Sequence, residues 1–549
     1  MGETQPLHPK ARLADLVVRL VLGRTSTTMI RRILAGIALV FFMAASAQAQ
    51  HTLRVAYDAD PVSLDPYEQL SGGTLQLSHL IFDPLVRWTQ DHQFEARLAE
   101  RWEYLDDRTM RFYLRKNIVF HSGNELTAND VEWTFNRLKK SGDFKAIFEP
   151  FKSIEVVNDH VFDVRMDQPY PLVLHSMTYL FPMDQAFYSG KTADGKDKAE
   201  IVKHGNSFSS RNASGTGPFI VTEREQGVRS VFARFDDYWD DASMGNAGNV
   251  DQIILTPIKE DSTRLAALLS GAVDFIAPVA PSNLQNVAEH PETKLITMPG
   301  TRAITFQLNM GRVPAFRNVR VRQAVDYAIN NAGIVDRIMH GFATVSAQMS
   351  PAGYPGHIEE LVPRFDVEKA KQLMADAGYA DGLNVTMLAP HNRYVNDERI
   401  AQAVALMLSK ININVDLQTI PKAQYWTQYD ARAADMMMIG WHSDTEDSAN
   451  FHQFLTACPD EETGQGRYNS SGYCNPYADE LMRRANIEMD KDERTKLLRQ
   501  LEQILFDDAA FVPLHWQNLA WGVREGILAE DIVNAQNAPY FGDLVMEPN

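Results

Sequence analysis

A chain of 549 residues with 45% hydrophobic and 23% charged residues is a folded protein too long for one simple core. At roughly 100 to 200 residues per domain it needs at least two lobes. Its formal net charge of −18 excludes nucleic acid as a partner, because phosphates need a Lys/Arg surface that releases counterions.

The N-terminal segment is a different kind of sequence. Arg31-Arg32 precedes the apolar run Ile33 to Met43, and small residues follow to Ala47-Gln48-Ala49. A basic n-region, an apolar h-region and an A-x-A site make residues 1–49 a cleaved signal peptide. Met29 opens a signal of ordinary length, so residues 1–28 are expected to be an upstream extension from a misplaced start codon. The segment carries six basic and two acidic residues, and its removal leaves a net charge of −22. No later segment is long and apolar enough to span a bilayer. The mature chain is therefore expected to be acidic, exported and soluble.

Further on, Leu53-Arg54-Val55-Ala56-Tyr57 alternates as a strand does and leads into the turn Ser63-Leu64-Asp65-Pro66. Met110 to Leu114 is a second alternating strand. Thr127 caps a helix over Ala128 to Arg137, with Asp130 at its third position. Asp261 opens a helix through Leu269 that Gly271 ends, and Val273 to Ile276 returns as a strand. The same helix, glycine, strand pattern recurs at Glu368 to Ala377, Gly378 and Asn384 to Leu388. Glu398 to Lys410 is helical and Ile413 to Leu417 is the next strand. After Tyr425-Trp426 and Tyr429, Met436-Met437-Met438-Ile439-Gly440-Trp441 reads as a buried strand. Short βα units with mixed strands make an α/β chain without internal repeats. Trp441 then stands just past a strand's carboxyl end, where open α/β sheets bind ligands. Export makes a Cys458–Cys474 disulfide the natural state of the two cysteines, worth roughly 3 kcal/mol for a loop of this size.

The block Leu98-Ala99-Glu100-Arg101-Trp102-Glu103, through Phe112-Tyr113-Leu114-Arg115 and Val119-Phe120-His121-Ser122-Gly123 to Leu126-Thr127-Ala128-Asn129-Asp130-Val131, resembles the family 5 extracellular solute-binding proteins. These are the peptide and nickel class of ABC-importer receptors. Gly215-Thr216-Gly217-Pro218-Phe219, Phe235-Asp236-Asp237-Tyr238-Trp239 and Val319-Arg320-Val321-Arg322-Gln323-Ala324 are similar to the same family in the same order. The resemblance implies an α/β fold, a two-lobe periplasmic-binding-protein clamp with mixed sheets and a two-strand hinge. Lobe I would be residues 51–305 with the tail 515–549, and lobe II residues 306–514, with crossings at Phe306 to Asn309 and Val512 to His515. His121, Trp102 and Trp239 belong to the signature and are expected to pack.

Enzyme motifs do not appear: no H-E-x-x-H, G-x-S-x-G, Walker loop or full G-x-G-x-x-G. His442 and His452 near Asp444 and Asp447 fit no standard metal spacing, so neither a metal nor a cofactor is expected. In peptide-binding members the acid three residues after the strand-end tryptophan meets the ligand's α-amino group. That position is Asp444. Dipeptide-binding members carry an arginine for the α-carboxylate after an earlier strand, and Arg393 falls there, with Arg399 close by. A guanidinium grips a carboxylate with two parallel hydrogen bonds, and a buried carboxylate takes an ammonium. Trp441, Gly440 and Asn309 complete the expected ligand set, with Glu446 and Asp447 as rim or capping charges. The Cys458 to Cys474 pattern also resembles the dipeptide-binding branch. The resemblance thus implies a monomeric periplasmic receptor that binds dipeptides or short peptides and hands them to inner-membrane permease subunits. An opine, an oligosaccharide, a nickel complex or haem is the alternative cargo on the same scaffold, and a secreted hydrolase or a folding helper the alternative class.

Overall fold

Alternation dictates the first strand. Leu53 and Val55 are fully buried, while Arg54 on the opposite face donates from Nε to Asp274 Oδ2 at 2.8 Å. The structure, a computed structural model, describes residues 51–90, 93–203, 206–240, 248–443 and 447–547. The signal peptide and its upstream extension lie outside the described residues, as do Asp444 and Glu446.

Among the described residues, eleven strands form one sheet: β1 (Thr52–Tyr57), β2 (Phe219–Glu225), β3 (Arg229–Arg234), β4 (Gln252–Pro257), β5 (Phe275–Ala277), β6 (Thr293–Leu308), β7 (Ala343–Val345), β8 (Leu383–His391), β9 (Ile413–Pro421), β10 (Met436–Trp441) and β11 (Val512–Arg524). Their order is β9-β8-β10-β6-β11-β5-β1-β4-β3-β2, with β7 pairing β11. β1 is parallel to β4 and β5, and β8 is parallel to β9 and β10, whereas β6 and β11 run antiparallel. β6 is 16 residues long, about 50 Å at roughly 3.3 Å per residue. It and β11 are the two strands that traverse both lobes.

The two larger of the three cores among the described residues hang on this pair. Phe306, Leu308, Val385, Ile400, Met436, Met438, Val512 and Leu514 belong to one, and Val55, Phe82, Phe112, Met437, Ile439 and Trp441 to the other. Alternate side chains of β10 thus serve different cores. That is why its sequence is continuously apolar instead of alternating with polar residues. The family signature packs as expected. Asp130 Oδ2 accepts the Thr127 N–H at 2.9 Å at the head of the helix Ala128–Leu138. His121 bonds the Gly217 carbonyl at 2.9 Å, and Trp239 Nε1 donates to Asp83 at 2.8 Å.

The lobes are closed on one another by charge as well as by apolar packing. Asp143, fully buried, pairs with Lys203 at 2.7 Å. Both precede the crossing strands. Arg467, from the segment between them, reaches Asp143 at 3.6 Å and Asp430 at 3.1 Å.

Cys458 and Cys474 are joined in a disulfide. Its loop carries Ser470, whose N–H donates to Gln307 Oε1 at 2.6 Å, and Tyr468, whose ring centroid lies 5.1 Å from that of Trp441. Replacing both cysteines by serine is expected to lower the unfolding free energy by about 3 kcal/mol, the loop entropy released for a separation of 16 residues. Urea titrations of the two proteins check this. A difference under about 0.5 kcal/mol would contradict a structural bridge.

Candidate functional site

The crossing strands lose register between Met298 and Arg302, where Pro299-Gly300-Thr301 interrupts β6. A Cβ at Gly300 would lie 1.8 Å from the Gln517 carbonyl oxygen, so no other residue allows this approach. Beyond the break, Arg302 lines a cavity of ≈ 260 Å³ between the lobes, together with Asp58, Gly72, Arg393, Lys422 and Gln517. Asp58 follows β1, and Gly72 starts the helix α1 (Gly72–Ile81). A narrower cavity of ≈ 30 Å³ shares Arg302 and Arg393 and reaches Trp441 and His442.

Arg393 sits in the turn between β8 and α2 (Asp397–Ser409). Asn392 and Asn396 supply its left-handed backbone, at φ 62 and 58, as asparagine does more readily than most residues. Asp397 then ties the turn: one carboxylate oxygen accepts the N–H of both Arg393 and Tyr394 at 2.9 Å. Val395 donates to the Gln517 side chain at 3.1 Å, joining the turn to the hinge. So held, the guanidinium lies 4.8 Å from the Tyr394 ring and 5.7 Å from that of Trp426. Its Nε is buried with no hydrogen-bond partner.

Lys422 is the first residue of α3 (Lys422–Asp430), directly after Pro421. Burial pushes its ammonium down to about 8, with Asp58 and Asp397 opposing the shift and Arg393 and Arg302 reinforcing it. Burial likewise holds His442 neutral, down to about 3, with Arg302 and Arg393 adding to the effect. Asp397 moves the other way, up to about 6, because burial outweighs the N–H groups of Tyr394, Arg393 and Glu398 that favour its charge. Neither Arg393 nor Lys422 makes an ion pair with a described carboxylate.

Of the residues expected from sequence, Arg393, Trp441 and Gly440 come together here. Trp441 is pinned by donation from Nε1 to Asn450 Oδ1 at 2.9 Å and by Phe454, 4.8 Å away between centroids. Gly440 serves packing: a Cβ there would lie 2.6 Å from both Ile304 and Tyr394. Asn309 lines neither cavity. Its Oδ1 accepts the N–H groups of Gly311 and Arg312, each at 3.0 Å, and so it caps the turn after β6. Asp444 lies outside the described residues. Asp447 caps the helix α4 (Ser448–Leu455) and pairs with Arg494. His452 has both ring nitrogens engaged, with Thr456 at 2.7 Å and Asp479 at 2.8 Å. Among the described residues no group of three or more His, Cys, Asp or Glu is placed to hold a metal. Sequence reasoning missed Arg302, Lys422 and Asp58. The signals that could have found them were a Pro-Gly pair inside a long strand and a lysine directly after the proline that ends one.

A clamp of two lobes around an inter-lobe cleft is the architecture of solute receptors. Residues 93–462 match the bacterial extracellular solute-binding proteins, family 5 Middle, and the chain belongs to that family. It is 27% identical over 485 residues to the heme-binding protein A of Haemophilus influenzae, covering 83% of this chain and 85% of the other. To the dipeptide-binding protein of Escherichia coli it is 25% identical over 509 residues, covering 86% and 91%. The solved dipeptide-binding protein of Pseudoalteromonas sp. SM9913 in complex with Met-Leu superposes with a TM-score of 0.81 at 21% identity, covering 90% and 100%. The expected fold class and family are thereby borne out.

The Lys422 environment is directly measurable. With lysines carrying ¹³C-labelled dimethyl groups, one resonance should titrate near 8 in the ligand-free protein, well below the roughly 10.4 of an ordinary lysine. Asp58→Asn should move it lower still. A spectrum in which every lysine titrates near its ordinary value would contradict the buried, cation-flanked site.

Proposed function

We propose that this protein is the periplasmic receptor of an ABC importer that captures dipeptides or short peptides between its lobes and delivers them to permease subunits at the inner membrane. Its role is binding without chemistry. It acts as a monomer, exported by the signal in residues 1–49 and cleaved after it, with lobes at 51–305 plus 515–549 and at 306–514. The observation that carries the reading is Arg393: a guanidinium held by its own turn, stacked on aromatic rings, with a buried Nε that lacks a partner. A peptide's α-carboxylate supplies what it lacks, in two parallel hydrogen bonds. The cavity of ≈ 260 Å³ lies below the roughly 300 to 1,000 Å³ that drug-sized ligands occupy, which favours a small solute over a macrocycle such as haem. Relatives in two bacteria carry dipeptide binding in their names. Arg393 and Lys422, neither of them in an ion pair with a described carboxylate, favour an opine as the second reading, since the same scaffold serves other anionic solutes.

In this reading Asp444 takes the ligand's ammonium, on the strength of its place three residues after Trp441. Asp444→Ala would strand that charge and is expected to cost roughly 2 to 5 kcal/mol of affinity. Calorimetry with modified peptides assigns each end. N-acetylation should weaken binding to the wild type strongly and change binding to Asp444→Ala little, and C-terminal amidation should behave the same way toward Arg393→Ala. Equal binding of acetylated and free peptide to the wild type would remove Asp444 from the site. Failure of every free dipeptide to bind would remove peptides as the cargo.

A further inference from the structure

We infer that the cleft reads a second negative charge on its solute, with Lys422 as the partner of that charge. On the peptide reading, on which this rests, the preferred cargo is a dipeptide with an acidic side chain.

Five side-chain cations, Lys259, Arg302, Arg393, Arg399 and Lys422, line one cavity with four carboxylates, Asp58, Asp261, Asp397 and Glu398, and Asp261 is engaged by Arg264. A zwitterionic dipeptide with a neutral side chain brings a single carboxylate to them, and Arg393 with its partnerless buried Nε is placed to take it. Lys422, half-buried at the cavity wall, would then remain an ammonium without a partner, and a charge withdrawn from water is costly unless paired. The groups that face it are Asp58 after β1, Arg302 of β6, and Arg393 and Asp397 of the turn before α2. Neither acid supplies the missing partner. Asp397 already accepts the N–H groups of Arg393, Tyr394 and Glu398. Asp58 is near enough to favour the charge on Lys422 but makes no ion pair with it. Lys422 enters the cavity from the head of α3 and Arg393 from the β8–α2 turn. The two cations therefore meet a ligand from different elements, as two charges on one small molecule require.

Isothermal titration at pH 7 with Ala-Glu and its isosteric amide Ala-Gln tests this. The wild type is expected to prefer Ala-Glu by roughly tenfold or more, the scale of a desolvated charge pair. Lys422→Met should collapse that ratio toward one, Lys422→Arg should retain it, and Arg393→Ala should weaken both peptides without erasing it. Because burial holds the free Lys422 near 8 and a bound carboxylate would raise it, binding of Ala-Glu takes up a proton above that pH. Its affinity should fall between about pH 8 and 10 while that of Ala-Gln changes less. Equal affinity of the wild type for the two peptides, or an unchanged ratio in Lys422→Met, would overturn the inference. If neither dipeptide binds, the peptide reading has failed separately, and an N-carboxyalkyl amino acid with two carboxylates becomes the probe. Binding of that diacid that is lost in Lys422→Met but kept in Lys422→Arg sustains the inference, and no binding, or binding indifferent to both changes, overturns it.

Discussion

The pairing of β6 with β11 is the constraint on which the rest of the molecule depends. These strands lie at the centre of the sheet, with one lobe's strands paired to one side and the other's to the other. The pairing survives from Thr293 opposite Arg524 to Phe306 opposite Val512, yet it shifts register between Met298 and Arg302 and again between Ile304 and Thr305, the second shift lying where β6 passes from one core to the other. A sheet interrupted in this way bends locally while its ends stay intact, which suits hinge motion. Gly300 against the Gln517 carbonyl marks the first interruption, and the side chains on either side of it, Arg302 and Gln517, both face the cavity. Hinge and site are one piece of chain.

The electrostatics of the cleft run against those of the whole protein. A formal net charge of −18 repels anions at a distance, but salt screens that field over about 8 Å. Within the closed cleft the local charges decide instead, because water no longer shields them. Burial and neighbouring cations press Lys422 and His442 toward neutrality. At the lips a half-buried network joins Asp143 and Lys203, from before the crossing strands, to Arg467 and Asp430, from between them, through Arg467–Asp143 and Lys203–Asp430.

Local signals in the sequence told much of the fold. The helix at Asp261–Leu269 and the strand at Met436–Trp441 fall where their caps, glycine stop and apolar run put them, because those features act within a few residues. Arg393 and Trp441 were legible through strand ends and family resemblance. Arg302, Lys422 and Asp58 were not, since they come from a strand break, a helix start and a loop far apart in the chain, and only the closed fold makes them neighbours. Asn309, expected among the ligand residues, lines neither cavity. It lies on a crossing strand's end, but at the end away from the cleft, where the backbone needs an acceptor to turn. Gly440 is a milder case, in the right place for a packing reason.

A small solute that holds the two lobes shut around the hinge is the central claim. Small-angle X-ray scattering of the mature protein, with and without a solute shown by calorimetry to saturate it, tests that claim most directly. A clamp predicts a wider particle without solute and, with it, a smaller radius of gyration and a profile that fits the closed structure. The same profile in both conditions, at confirmed saturation, would contradict a clamp that closes on its cargo.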